Sequence, residues 1–269
     1  MNSIDFFKGS NNFEVSKKNV IQILKDVRDL IFPGYYNSLL SDATNATIFL
    51  KERVYNSLVF EIGKIVKNTS YDLDGKAIAN NFIEGLNEIV KYLKTDLDAA
   101  FNGDPAAVDR NEIIITYPGF FATIVYRIAH LLYENNVPYI PRIMSEYAHS
   151  RTGIDIHPGA QIGPYFFIDH GTGIVIGETA VIGSNVKIYQ NVTIGALSLG
   201  RGQMLKGVKR HPTIMDNVTI YSNATILGGQ TIIHNNVVIG ANAFITESVE
   251  ENTIVLMKKS DMEFVKKNK

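Results

Sequence analysis

Between Ile156 and Ile245 an aliphatic residue returns every six positions. The leading positions are Ile156, Ile162 and Ile168, then, after a two-residue slip, Ile176, Ile182, Ile188 and Ile194. The period resumes at Ile214, Ile220 and Ile226, slips by one residue, and continues at Ile233, Ile239 and Ile245. A small or apolar residue usually follows four places on, as at Ala160, Ala180, Val192, Ala224 and Ala243. Neither a helix period near 3.6 nor strand alternation sustains a repeat of six, which is the signature of a parallel β-helix. Each unit predicts one short strand and a corner, with Gly and Asn, as in Ile182-Gly183-Ser184-Asn185, taking the tight conformations. Three units close a triangular coil, and roughly five coils fit positions 154 to 250. The spacing does not fix the handedness.

The first 150 residues carry a different pattern, with apolar positions three and four apart. Val20, Leu24, Val27 and Ile31 form one stripe, which Pro33-Gly34 stops. Val54, Leu58, Ile62 and Val66 form a second. Ile78, Phe82, Leu86, Ile89, Leu93 and Leu97 form a third that runs out before Asn102-Gly103-Asp104-Pro105. After Pro118-Gly119, the positions of Phe121, Ile124, Ile128, Leu131 and Leu132 predict a helix buried on both sides. The expected fold class is α+β: a helical domain over 1–150, a parallel β-helix over 151–257 with an excursion over 195–212, and a tail over 258–269. A helical cap on the first coil would also cover strand edges that otherwise invite aggregation.

Composition narrows the class further. The chain of 269 residues has a formal net charge of −1 with dispersed basic residues, so no nucleic-acid groove is expected. With no cysteine, disulfides, thiolate metal sites and an acyl-cysteine intermediate are excluded. The start Met1-Asn2-Ser3-Ile4-Asp5 shows no signal-peptide pattern and no run approaches eighteen apolar residues, so the expected location is the cytoplasm, away from membranes.

Chemistry belongs where the repeat breaks, since regular coil positions are committed to packing. One break carries Ile154-Asp155-Ile156-His157-Pro158 and Ile168-Asp169-His170-Gly171-Thr172-Gly173. The other is the stretch from Gly195 to Pro212, with Arg201, Lys206, Lys209, Arg210 and His211. These segments, with the run from Gly177-Glu178-Thr179-Ala180, the Arg210-His211-Pro212 motif, Asp104-Pro105-Ala106 and Tyr126-Arg127-Ile128-Ala129-His130, resemble the serine O-acetyltransferases. The resemblance runs from Asp104 to about Val249. It implies a left-handed β-helix, a homotrimer with active sites between subunits, and commonly a dimer of trimers.

Serine's hydroxyl is a poor nucleophile at neutral pH, so attack on a thioester needs a base within hydrogen-bond reach. His170 is the candidate, because an imidazole with a pKa of about 6.5 can take the proton and return it to the departing thiolate. Asp155, nearly one coil away, is the candidate carboxylate to orient its ring. The resemblance assigns the same pair. It also places Asp104 and Asp169 on the ammonium and hydroxyl end of serine, and Arg210 and His211 on its carboxylate, in keeping with the charges an amino acid requires. Acetyl-CoA as co-substrate is expected along the coil surface near Gly195, Ala196 and Ala241, without a metal. Lys206 and Lys209 are either solvated charges or contacts to CoA phosphate. Glu178 is either a structural acceptor or part of the site, while His157 is expected to brace its corner and His130 to sit hydrogen-bonded on its helix.

The chain departs from the resembled pattern at Gly195-Ala196, where paired glycines are usual, and at Tyr221-Ser222-Asn223, where a Gly-Ala-Gly corner is common. Both crowd the expected cofactor groove. It ends Lys266-Lys267-Asn268-Lys269 without a terminal isoleucine, so no stable cysteine synthase complex is expected. Three rivals remain. A sugar acyltransferase would not need carboxylates and a guanidinium matched to an amino acid. A metal-dependent hydratase needs three converging histidines, and a trimeric scaffold would leave the Asp155, Asp169, His170, Arg210 and His211 set unexplained.

Overall fold

The computed structural model describes residues 15–36, 43–198, 200 and 202–258. Arg201 and all of the expected tail except Lys258 lie outside them. Among the described residues six helices come first: α1 (Lys17–Ile31), α2 (Ala43–Asn68), α3 (Gly75–Gly103), α4 (Arg110–Thr116), α5 (Pro118–Glu134) and α6 (Ile140–Thr152). The three stripes read from sequence form one core, in which Val20, Val54, Leu58, Ile62 and Phe82 are fully buried. Ser16 caps α1 by accepting from the Asn19 N–H, and Asp74 caps α3 by accepting from Lys76 and Ala77. No single helix among the described residues is long and apolar enough to cross a membrane.

Fourteen strands follow among the described residues: β1 (Asp155–Ile156), β2 (Gln161–Ile162), β3 (Phe167–Asp169), β4 (Val175–Ile176), β5 (Val181–Ile182), β6 (Lys187–Tyr189), β7 (Thr193–Gly195), β8 (Thr213–Ile214), β9 (Thr219–Ile220), β10 (Thr225–Leu227), β11 (Ile232–Ile233), β12 (Val238–Ile239), β13 (Phe244–Ile245) and β14 (Ile254–Val255). They form three parallel faces: β1-β4-β7-β10-β13, β2-β5-β8-β11 and β3-β6-β9-β12-β14. The expected architecture of a helical domain and a parallel β-helix is therefore the one observed.

The six-residue period explains the register. On the first face Ile156, Ile176, Ile194, Ile226 and Ile245 stack in one column. Ile162, Ile182, Ile214 and Ile233 stack on the second. Ile168, Ile188, Ile220 and Ile239 stack on the third. All are buried, each contributing about 2 kcal/mol of apolar transfer before entropy is charged. Corners are turned by asparagines in the left-handed region, among them Asn185, Asn217, Asn236 and Asn252. Their amides form a ladder, Asn185 to Asn217 at 2.9 Å, Asn217 to Asn236 at 3.2 Å and Asn236 to Asn252 at 2.9 Å.

Helix α5 joins the two domains. Ile124, Ile128 and Leu132 enter the helical core, while Ala122 and Tyr126 enter the β-helix core, so the helix is buried on both sides as its pattern predicts. Its polar side chains seal the open edge of the first coil. The Tyr126 hydroxyl donates to Ala160 O at 2.6 Å, His130 Nδ1 lies 2.7 Å from Pro158 O, and Arg127 donates to Gly163 O at 2.6 Å and also to Ile162 O. Asp96 on α3 holds Arg127 through two contacts of 3.1 Å and accepts the Phe166 N–H at 2.9 Å. These bonds satisfy backbone groups that would otherwise be buried unpaired.

Candidate active site

The two-residue slip after Ile168 is a widened corner, 170–173, entering the first face. His170 occupies it at φ 59°, where a side chain with a Cβ costs on the order of 1 kcal/mol, and its side chain is 72% exposed. Asp169 ends β3 directly before it, with Oδ1 3.7 Å from His170 Nε2 and Oδ2 3.2 Å from Lys187 Nζ.

Asp104 reaches the same corner from the helical domain as the residue capping α3 at its C-terminus. The approach depends on Gly119: a Cβ there would lie 2.4 Å from Ile168 O, so α5 can rest its first turn directly on β3. Tyr117, just before α5, thereby donates its hydroxyl to Asp104 Oδ2 at 2.5 Å. The Tyr117 bond, aided by the Ala106 N–H, lowers the Asp104 pKa, and the carboxylate in turn pushes Tyr117 up to about 12. Lys187 completes the cluster by donating to Gly103 O at 2.7 Å. Burial works against its charge, but Tyr189 and Asp169 outweigh that and raise its pKa. The result is two carboxylates and one ammonium beside an exposed imidazole.

Arg210 and His211 stand elsewhere, at the corner leaving the first face, where the excursion after β7 returns to β8. Arg210 is ion-paired with Glu178, and Glu178 also accepts from the Tyr133 hydroxyl at 3.0 Å. Burial favours the neutral acid at Glu178, yet the bonds from Arg210 and Tyr133 prevail and lower its pKa. His211 is buried over Gly177, where a Cβ would lie 2.1 Å from ring atoms Cδ2 and Nε2. Burial, then the charges of Arg210 and Lys209, bring the His211 pKa down to about 4, so the ring is neutral at physiological pH. Lys209 is an exposed residue whose ammonium donates to Thr179 O at 2.7 Å, to Pro212 O at 3.1 Å and to His211 O. Glu178 accepts from both Arg210 and Tyr133, and His157 braces its corner by accepting the Gly159 N–H at 3.0 Å.

One protomer thus brings Asp104, Asp169 and His170 together at one edge of the first face and Arg210 with His211 at the other. Asp155, on β1, makes no hydrogen bond to His170 among the described residues. Its carboxylate lies instead with Glu146 and His149, the three offering ligand-type atoms within 4.8 Å of one another. Glu146 is already ion-paired with Arg142 and lies 3.3 Å from His149. Gly195 ends β7 opposite Leu227, with Ala196 next to it at the mouth of the excursion. Ala241 sits in the exposed turn before β13, at the opposite end of that face. Tyr221, expected to crowd the groove, stacks on Tyr189 with centroids 4.9 Å apart.

Sequence reasoning missed Tyr117, Lys187 and Thr179. Tyr117 adjoins the Pro118-Gly119 break and Thr179 lies inside the Gly177–Ala180 run without a role read for it, whereas Lys187 occupies an outward position of an ordinary hexapeptide and carries no signal of its own.

No family model matches the chain. Individual proteins do. It is 50% identical over 177 residues, 65% of its length, to a plasmid-encoded serine acetyltransferase of Synechococcus elongatus, and that match spans 55% of the relative, a little over half of its length. It is 45% identical over 168 residues to a serine acetyltransferase of Staphylococcus epidermidis, covering 62% of this chain and 76% of that one. The crystal structure of Entamoeba histolytica serine acetyltransferase isoform 3 in complex with cysteine superimposes with a TM-score of 0.79 at 33% identity, covering 98% of this chain and 93% of the other.

Proposed function

This chain belongs to the serine acetyltransferase family, and we propose that it transfers the acetyl group of acetyl-CoA to the side-chain hydroxyl of L-serine. The observation that carries this reading is the pairing of charges. Asp104 and Asp169 stand beside the exposed His170, and Arg210 stands beside the neutral His211, which together match the ammonium and carboxylate of an amino acid. The cysteine bound to the Entamoeba protein, an amino acid of serine's shape, supports the same reading.

The two halves lie on opposite edges of the first face, a separation that a molecule as small as serine does not bridge. The complete site therefore forms between protomers, with the His170 edge of one subunit against the Arg210 edge of the next. A closed ring of three pairs each subunit's His170 edge with a neighbour's Arg210 edge in this way.

In the reaction His170 takes the proton of the serine hydroxyl as its oxygen attacks the thioester carbonyl. The tetrahedral intermediate collapses, the C–S bond breaks, and the thiolate of CoA recovers the proton. Asp155 serves as the carboxylate that favours imidazolium at His170. Main-chain groups at Gly195, Ala196 and Ala241 offer hydrogen bonds to the amides of the pantetheine arm, and no metal takes part.

The test is release of free thiol from acetyl-CoA with L-serine present, absent, or replaced by a panel of sugars. Serine-dependent release supports the assignment. Release with a sugar but not with serine would assign the fold to a different acceptor.

A further inference from the structure

We propose that Thr179 is a positioning residue for substrate recognition, holding Arg210 and His211 so that a guanidinium and a neutral imidazole N–H face the substrate carboxylate together. This rests on the reading of that pair as the carboxylate subsite.

Besides the bond from Lys209 to its carbonyl, four hydrogen bonds join the N–H and hydroxyl of this one residue to a segment about thirty positions later. Thr179 Oγ1 accepts the main-chain N–H of Arg210 at 2.9 Å and that of His211 at 3.1 Å. The Thr179 main-chain N–H points at His211 Nδ1 at 3.0 Å, and Oγ1 lies 2.9 Å from the same nitrogen. A main-chain N–H can only donate, so Nδ1 is an acceptor and the ring proton resides on Nε2. Thr179 Oγ1, already accepting twice, directs its own hydrogen to Nδ1. Among the described residues Nε2, which packs over Gly177 in a residue only 7% exposed, makes no hydrogen bond within the protomer, so its N–H is the ring's one unspent donor.

The arrangement also fixes the charge. Arg210 and Lys209 from the returning loop, and Glu178 and His157 from the neighbouring corners, all face the ring. The two cations disfavour imidazolium, and the two Thr179 donors to Nδ1 reinforce the neutral form. One full charge, that of Arg210, then meets one carboxylate, with His211 adding direction rather than a second charge. Glu178 holds the guanidinium while Thr179 holds the backbone behind it, so the dipeptide Glu178-Thr179 sets both ligands from the coil below.

The experiment compares wild type with Thr179→Val and Thr179→Ser, in steady-state kinetics and in an NMR pH titration of the His211 ring. The expected result for valine is a KM for serine raised about tenfold with kcat changed less than about threefold, the loss of one hydrogen-bonding anchor. His211 in that variant should titrate at higher pH than in wild type. Serine at this position should restore both. Thr179→Ala serves where valine fails to fold. Wild-type KM and wild-type His211 titration in a folded hydroxyl-less variant overturn the proposal. Absence of serine-dependent turnover in the wild type overturns the functional reading instead, and the titration still decides whether Thr179 governs the ring.

Discussion

The Tyr117 hydroxyl donates to the Asp104 carboxylate at 2.5 Å, linking the end of one helix to the start of another on the surface of β3. Neither residue belongs to the β-helix, yet their bond sets a carboxylate beside His170. Tyr117→Phe should leave the fold intact and raise the KM for serine about tenfold, the size expected for a hydrogen bond to a charged group. Kinetics at fixed acetyl-CoA check this; an unchanged KM would remove Asp104 from the substrate site.

His170→Ala should lower kcat by about two to four orders of magnitude, the range for a lost general base. Because the side chain is exposed and outside both cores, thermal unfolding should be unaffected. Turnover near the wild-type level would assign the proton transfer to another group.

Stability should fall with acid through His211. Its folded pKa is depressed to about 4 from an unfolded value of about 6.5, so between those limits the unfolded chain binds more protons. Stability from this group is therefore complete above about pH 6.5, declines as pH falls toward 4, and has no further slope below that. Melting temperatures measured across this window for wild type and His211→Gln should show a shallower decline in the variant.

Gly177→Ala should displace the His211 ring, because the added Cβ would lie 2.1 Å from two of its atoms. Overpacking of this kind costs about 1–3 kcal/mol, and the KM for serine should rise with it. Denaturant melts and kinetics on the same preparation separate the two effects.

Arg127→Met leaves Asp96 buried without its cation and frees two carbonyls of the first coil. Removing one partner of such a pair costs about 3–5 kcal/mol. Hydrogen exchange should show the loss first at Ile162 and Phe166, where α5 and α3 meet the coil.

The β-helix was legible because one residue type at one spacing has a single geometric outcome: all thirteen leading isoleucines stack as their period requires. The slips were informative for the same reason, since each marks a corner where the chain does something besides packing. Helices α4 and α6 left no stripe to read. The buried face of α6 is Ile140, Pro141, Met144, Ser145 and Ala148, too small and polar to stand out from its surroundings. Candidate residues could be named from the sequence, but not how the fold divides them. Asp155, Asp169, His170, Arg210 and His211 follow from chemistry and resemblance, whereas their separation to two edges depends on which corner each strand turns, which only the stacked coil reveals. Lys187 was invisible because an outward lysine on a strand is ordinary until its neighbour proves to be a carboxylate.

The return of the long excursion to its register has a consequence for how such a chain can change. Ile194 lies against Ile226 although the whole Arg210 segment departs between them. The stack does not measure what leaves it at a corner. Length and composition there can drift while the supporting column stays as it was, so new acceptor preferences are open to this architecture by editing a detour, with the route on either side unaltered.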